Sequence, residues 1–596
     1  MPESVREVAD TANLYRAVRF VRDDKDDEVI SDPLNDIPFL ETLNVRIPDV
    51  SNRLLNGTYE PRRVTVVETA RADFTTRPLS HMEFEDWVVA QAILNVVAEK
   101  LDGKIPASSY AFRLNPNRNR SSRYKFFKAW YREWPSFLRR IRNSISLTHP
   151  YLVVTDIAGY FEQIDLRLLS DMILAAGIPP DTVNLIFSQL EKWTWREGFA
   201  ISRNRGLVQG NDIASAYSNY YLSDIDVWLT QRGVKYERYV DDFNIHCRSK
   251  KEAKDILREL AVALRRMGLT LNKSKTKIMG GAEIDEHFAW QVSDELEANL
   301  KALKKVGDTT QVRHERQRLR RAILRLRVPN AHIFKRLITA YASARDRRYK
   351  PEALRLLVDN PALTPNLCRY VRAIDADADV IDFAAFLDDP TRNIFSSQEH
   401  QILETMLLMS VRRQGTRDAM KALAHAKFGD FNVDMYSRAL YVLLMYKFGD
   451  TSDIEALVDR YLRNQERDIV PRKYLALAVT RLVDQVRLDK VIDRLVREAE
   501  PSLSDLGLFI DEIRHGPVNK VRAVIQRTAL SRDHYSRTPK QTVDRLRIRD
   551  LIILNICRHS TDPGVRQSLR RRLDAWRSKV VCPTSIQLLT EARART

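Results

Sequence analysis

The sequence is poor in cysteine: four residues in 596, Cys247, Cys368, Cys557 and Cys582, with no C-x-x-C pair among them. That spacing excludes a zinc ribbon and a disulfide framework and fits reduced core thiols. Long apolar runs are missing as well. No stretch approaches the ~20 apolar residues that cross a bilayer. The first twenty residues, MPESVREVADTANLYRAVRF, mix acids and bases where a signal peptide would carry an apolar core. Low-complexity tracts are also lacking, and with 44% hydrophobic and 30% charged residues the composition is that of a folded chain. The expectation is a cytoplasmic protein without membrane contact.

Positive charge is plentiful. Lys and Arg total 97 against 79 Asp and Glu, a formal net charge of +18. Such a surface attracts polyphosphate, because each cation that meets a phosphate releases a condensed counterion. On charge alone, a protein merely kept soluble by its charge is an equal alternative. A chain of 596 residues also exceeds one hydrophobic core, so two or more domains are expected.

The two halves differ in texture. Up to about residue 295, strand-like runs (RRVTVVET, YLVVTDI, KYERYV, FNIHC, HFAWQV) alternate with helical segments, which predicts an α+β domain over 1–295. From about residue 298 the periodicity is helical, as in HIFKRLITAYASA and SDIEALVDRYLRN, which predicts an all-α domain over 296–596. Between them, RHERQRLRRAILRLRVP reads as a solvated helix face or a nucleic-acid contact. KFGD closes an apolar run at 427–430 and again at 447–450. Helices stacked in series would give a HEAT-like solenoid, with a compact bundle as the plainer alternative.

Two segments carry chemistry. Asp156 ends the β-branched run Tyr151-Leu-Val-Val-Thr, so a strand delivers a carboxylate to its tip. Asp241 and Asp242 lie between the strand-like runs Lys235–Arg238 and Phe243–Cys247, at the turn of a short hairpin. Adjacent carboxylates repel unless solvated or bridged by cations, so the cluster points to a divalent metal, although an Asp-Asp turn by itself is common. One strand-tip Asp plus a hairpin Asp pair is what two-metal nucleotidyl transfer needs. There one ion activates a primer hydroxyl and the other holds the triphosphate.

On these residues the chain resembles the reverse transcriptases. Tyr239-Val-Asp241-Asp242 looks like their Tyr-x-Asp-Asp box, and Asp156-Ile-Ala-Gly-Tyr-Phe161 is similar to their first aspartate motif. The resemblance implies Asp156, Asp241 and Asp242 as catalytic residues. It implies Asp156, the Ile157 carbonyl, Asp241 and Asp242 as ligands of two Mg²⁺ ions, with Mn²⁺ as an alternative. Phe161, with Tyr160 beside it, would screen the sugar of the incoming nucleotide. Gln209-Gly210 resembles the turn that opens a helix under the templating pair, and Lys275, in Leu269-Thr-Leu-Asn272-Lys-Ser-Lys275-Thr, matches a lysine near the nucleotide phosphates. Upstream, Arg77-Pro-Leu and Ser109-Tyr-Ala-Phe-Arg113 are similar to finger motifs of group II intron-type enzymes, making Arg71, Arg77 and Arg113 the implied triphosphate or template contacts. Three departures touch template and primer handling: Ala111 stands where Gly is usual, Ser80-His81 where Gly-Ile is usual, and Asn211-Asp212 where Ser-Pro is usual. His287-Phe-Ala-Trp290 is the nearest candidate for a primer grip.

The architecture implied is right-hand fingers and palm followed by an all-α HEAT-like repeat domain, an order similar to that of abortive-infection (Abi-type) and other defence-associated reverse transcriptases of bacteria. That resemblance implies an oligomeric antiphage polymerase using deoxynucleoside triphosphates and magnesium to make DNA, in some members without a template and from a protein hydroxyl. Tyr436, Tyr441 and Tyr446 are read as core residues before they are read as primers. Two alternatives stay open: a retron-like or intron-derived enzyme copying a dedicated RNA, and an inactive palm serving as an RNA-binding scaffold.

Overall fold

A computed structural model describes residues 3–25, 32, 36–121, 124–194, 204–325, 331–374, 377–530, 546–580, 582–594 and 596. The chain divides into two compact units, Met1–Glu28 with Leu43–Val66 and Pro78–Trp290, and Val29–Thr42 with Val67–Arg77 and Gln291–Thr596.

Six strands form in the described residues: β1 (Thr65–Ala70), β2 (Thr76–His81), β3 (Tyr151–Thr155), β4 (Lys235–Tyr239), β5 (Asp242–Cys247) and β6 (Lys277–Gly280). β1 and β2 form a two-stranded sheet, and the other four are ordered β4-β5-β3-β6. Every pairing in the larger sheet is antiparallel. Its core is Phe137 and Ile141 of the helix Trp130–Ser144 together with Leu152, Met279 and Ile284. The run HFAWQV, expected as a strand, is helical: a helix ends at Phe288, Ala289 turns left-handed at φ 46°, and a second helix starts at Trp290. Its alternating aromatics serve packing between helices, since Phe288 and Trp290 stack at 4.5 Å. β2 and β6 escape a sequence reading because Pro78 interrupts one and the other has four residues.

The second unit is built mainly of helices, and those two apart in sequence stack on one another. Ala331–Ala344 packs on Thr364–Ile374, which packs on Ser396–Leu408, and that on Met435–Phe448. A parallel series runs from Asp377–Asp388 to Gln414–Lys427. KFGD closes helices at Lys427 and Phe448. At the second copy a Cβ on Gly449 would lie 2.5 Å from the Met445 carbonyl oxygen, so only glycine fits. The arginine-rich stretch between the halves folds as the helix Thr310–Leu324, its tail 326–329 lying outside the described residues. Three of its arginines pair with acids of the same unit: buried Arg316 with Asp308 and Asp346 at 2.9 and 2.8 Å, Arg318 with Glu295 and Glu315, and Arg320 with Glu352. Arg321 and Arg325 lie exposed on the same stretch, so it combines an ion-paired face with surface cations.

All four cysteines are buried and free. Burial pushes the Cys247 and Cys368 thiols up to about 12, which makes them poor nucleophiles. No helix among the described residues is long and apolar enough to cross a membrane.

Candidate active site

The site grows out of strand register. β3 pairs with β5 so that Thr155 faces Phe243. One step further, the same antiparallel register brings Asp156 level with Asp242, the residue that pairs with Tyr239 across the β4–β5 hairpin. Asp241 stands at the turn between them. Its carboxyl is pushed up to about 8, first by burial, then by the Asp156 and Asp242 charges and a hydrogen bond to Asp156. The three aspartates thus share one corner of the sheet, and repulsion from the other two adds to burial in raising the proton affinity of Asp241.

The turn is backbone-strained. Val240 has φ 55°, a left-handed conformation unfavourable for a β-branched side chain. Two-residue hairpins of this hand ordinarily place glycine there. Buried Arg238 holds the strained form: its Nη1 donates to the Val240 carbonyl at 2.7 Å. The same guanidinium donates to Asp226 through Nε at 2.9 Å and through Nη2, and to Asn219 Oδ1 at 2.8 Å. Asn219 in turn donates to the Ala111 carbonyl at 2.8 Å, and Ser109 donates to Asn219 at 3.1 Å. One interior network therefore ties the hairpin to the helices Asp212–Tyr221 and Ser223–Gln231 and to the 109–111 segment. Sequence reasoning did not assign Arg238, Asn219 or Asp226. The available signal was an arginine inside a strand, at Glu237-Arg238-Tyr239, where only a buried acid could neutralise it.

Asp156 is held from the other side by the 270–276 segment. Ala158 N–H donates to Thr270 O at 2.8 Å, and Asn272 N–H to Asp156 O at 2.7 Å. These bonds flank an antiparallel bridge between Ile157 and Leu271. In that pattern the bridged residue's own carbonyl points away from its partner, which suits the Ile157 oxygen to ligate a cation. The Asn272 side-chain amide donates to Asp156 Oδ2 at 3.2 Å, a contact not foreseen from the sequence. Lys275 Nζ lies 2.7 Å from the same oxygen. This ammonium, expected at nucleotide phosphates, stands where a metal cation would neutralise Asp156.

Among the described residues, no group of three or more His, Cys, Asp or Glu is arranged to hold a metal ion. The donor set nevertheless fits one. A carboxyl with proton affinity raised by two neighbouring carboxylates is relieved by any cation placed between them, and Asp156 already carries a cationic side chain. Metal entry at Asp156 would displace Lys275. Lys275→Ala is therefore expected to tighten Mg²⁺ binding by up to about fivefold, the range of a part-exposed ion pair, measured by titration calorimetry without nucleotide.

The remaining candidates separate. Gly210 has φ 108°, and the Gln209 carbonyl accepts from Ser80 N–H at 2.8 Å. The helix that follows is capped by Asn211, whose side chain accepts from Ala214 N–H at 2.8 Å, with Asp212 in its first turn. The departure Asn-Asp thus supplies a cap and a charge suited to the helix dipole. Phe161 is half-buried beside the site segment, its carbonyl accepting from Leu207 N–H at 2.7 Å. Tyr160 is a core residue instead of a nucleotide contact: it is buried, its hydroxyl donates to the Ser218 carbonyl, and burial lifts its ionisation well above the usual range. Arg113 is likewise structural. It donates to Asp102 at 2.7 Å and to the carbonyls of Ile105, Pro106 and Ser109 at 3.0, 2.7 and 3.0 Å, in place of the triphosphate contact expected. Arg71 and Arg77 fall in the hairpin tip that groups with the second unit, where the positive charge of Arg77 helps, after burial, to lower the Lys335 ammonium. His287-Phe-Ala-Trp290 is a helix junction, with Arg142 over the Trp290 ring at 5.4 Å. Tyr436, Tyr441 and Tyr446 are buried, and the hydroxyls of the last two bond Glu399 at 2.6 Å and Thr480 at 3.1 Å.

Residues 72–306 match the family model "Reverse transcriptase (RNA-dependent DNA polymerase)". No curated protein matches the chain. Among solved structures, an apo telomerase of Candida tropicalis truncated from its C-terminal domain aligns at 16% identity and TM-score 0.27, covering 37% of this chain and 51% of that one. The telomerase of Candida albicans in complex with a fragment of telomeric RNA aligns at 11% identity and TM-score 0.29, covering 61% and 66%. A second apo telomerase structure from C. tropicalis gives 11% and 0.29, covering 75% and 69%. The chain spans 51% of the length of the truncated telomerase it matches.

Proposed function

We propose that this chain, whose residues 72–306 carry a reverse transcriptase domain, is a magnesium-dependent DNA polymerase of the reverse-transcriptase type that acts in bacterial antiphage defence. The observation that carries the polymerase reading is the corner of the sheet where Asp156, Asp241 and Asp242 meet, gripped by Asn272 and Lys275. When bound there, magnesium supplies the charge that activates a primer hydroxyl and holds a triphosphate. The chain's own contribution is positional: Arg238 fixes the turn, the 270–276 segment fixes Asp156, and Lys275 is released from Asp156 to meet phosphate.

The defence reading rests on the order of parts, a polymerase domain followed by stacked helices that we read as HEAT-like repeats serving oligomer assembly. In that setting synthesis is template-independent and primed by a protein hydroxyl. The buried hydroxyls of Tyr441 and Tyr446 are poorly placed for that task. The test is incubation of the purified chain with Mg²⁺ and labelled deoxynucleotides without nucleic acid, followed by denaturing gels before and after protease. Protease-sensitive label on the protein is the expected result. Label that requires added RNA template and primer would replace this reading by a retron-like one, and no label under either condition would leave a scaffold.

A further inference from the structure

The helix Trp130–Ser144 is amphipathic, with Phe137, Ile141 and Ser144 on its buried side. Near its C-terminal end, Ser144 Oγ donates to Glu237 at 3.1 Å. Nearly three turns earlier, the Trp134 ring meets the Tyr239 ring at 4.9 Å. Moving toward the helix N-terminus therefore means moving along β4 toward the Val240–Asp241 turn. Trp130 lies one further turn along, on the same stripe as Trp134. Among the described residues nothing continues the core there: Trp130 is 65% exposed and Tyr131 59%, their rings 6.2 Å apart and nearly perpendicular, and Tyr124 is 39% exposed.

Charge surrounds these rings. Between residues 118 and 142 there are nine Lys and Arg and one acidic residue, Glu133. Lys128, Arg132, Arg139 and Arg140 are exposed, and the Arg132 guanidinium lies 6.0 Å from the Tyr131 ring centroid. A large aromatic left in water at the end of a core stripe, in a strongly basic segment, gains most from a partner with a flat π-face and a phosphate backbone.

We propose that Trp130 and Tyr131, with Lys128 and Arg132, form a stacking platform for single-stranded nucleic acid, on the side of the sheet toward which the β4–β5 turn points. Bases stack on the two rings while the cations follow the backbone. The platform rests on the polymerase reading for its purpose, which is to hold a strand whose end reaches the carboxylates. Duplex DNA has no unstacked base to offer and gains only the charge.

The test is fluorescence anisotropy of labelled oligo-dT and oligo-rU 20-mers and a 20-base-pair duplex, with the full chain in EDTA. Trp130→Ala/Tyr131→Ala is expected to weaken both single strands about tenfold or more, to leave duplex binding nearly unchanged and to keep the salt slope. Lys128→Ala/Arg132→Ala is expected to reduce the single-strand salt slope by about 1.4. Trp130→Phe/Tyr131→Phe, which keeps both π-faces, is expected to bind like the wild type. Undiminished single-strand binding by the Ala pair at an unchanged melting temperature overturns the platform, as does an equal loss for duplex. A preference between the DNA and RNA strands identifies which one occupies the surface. Binding through Trp130 in a chain that never incorporates nucleotide refutes the polymerase reading and spares the platform. Incorporation alongside undiminished binding by the Ala pair does the reverse.

Discussion

Asp241→Asn is expected to cut nucleotide incorporation by about a thousandfold while leaving a folded protein that, free of metal at pH 8, melts higher than the wild type. Losing a ligand that positions charge at the reacting phosphate is worth several kcal/mol, and about 4 kcal/mol corresponds to that factor. The stability half follows from linkage. Burial and the two neighbouring carboxylates hold the Asp241 carboxyl at about 8 in the folded chain, against 3.8 for an unperturbed one. Between those values the folded state binds the extra proton, so the contribution of this carboxyl to stability is fully present below the lower value and is lost as pH rises through about 8. Each unit of that difference is about 1.4 kcal/mol, and asparagine removes the whole pH-dependent cost. Differential scanning fluorimetry at pH 5 and pH 8, with and without Mg²⁺, reads it directly. A wild type that gains no more from Mg²⁺ at pH 8 than at pH 5 would show that this carboxyl does not meet the metal.

Arg238→Ala should be the most damaging single change in the first unit, at about 3–5 kcal/mol. Both Arg238 and Asp226 have side chains with no exposure to solvent. Truncating one leaves the other's charge buried and unpaired, and it also strips the partner from the Val240 carbonyl and the Asn219 amide. Chemical denaturation is the measurement, with Arg238→Met/Asp226→Leu as the second variant. The double replacement removes both charges and should recover much of the stability. Activity should stay low in it, because nothing then fixes the left-handed Val240. Recovery of both together would reduce Arg238 to a purely structural role.

What the sequence made legible were the features written locally. β3 follows from the β-branched Tyr151–Thr155 run, and the β4–β5 hairpin from two short strands around an Asp-Asp turn. The helical texture after residue 298 likewise follows from short-range periodicity. Features that depend on distant partners were not legible. Arg238 and Asp226 are joined by the fold alone, and Asn272 lies 116 residues from the Asp156 carboxylate it supports. Arg113 and Tyr160 match their motifs by position, yet Asp102 and Ser218 claim their polar atoms, and no spacing rule announces such a competitor. The grouping of Val67–Arg77 with the second unit is of the same kind, since a hairpin's local pattern does not specify what its tip packs against.

The stacking of helices two apart in the second unit has a consequence for how that unit changes over time. Helices there meet their near neighbours in sequence, and the last helix also reaches back: Thr584 donates to the Val411 carbonyl at 3.0 Å, and Arg481 donates to Glu591 at 3.0 Å. A destabilising substitution in Met435–Phe448 is expected to be felt first in Gln414–Lys427, Ile469–Leu477 and Ser396–Leu408, the helices packed on it. The end of the chain therefore clasps the middle of the series, and opening of that middle is expected to require the last helix to let go first.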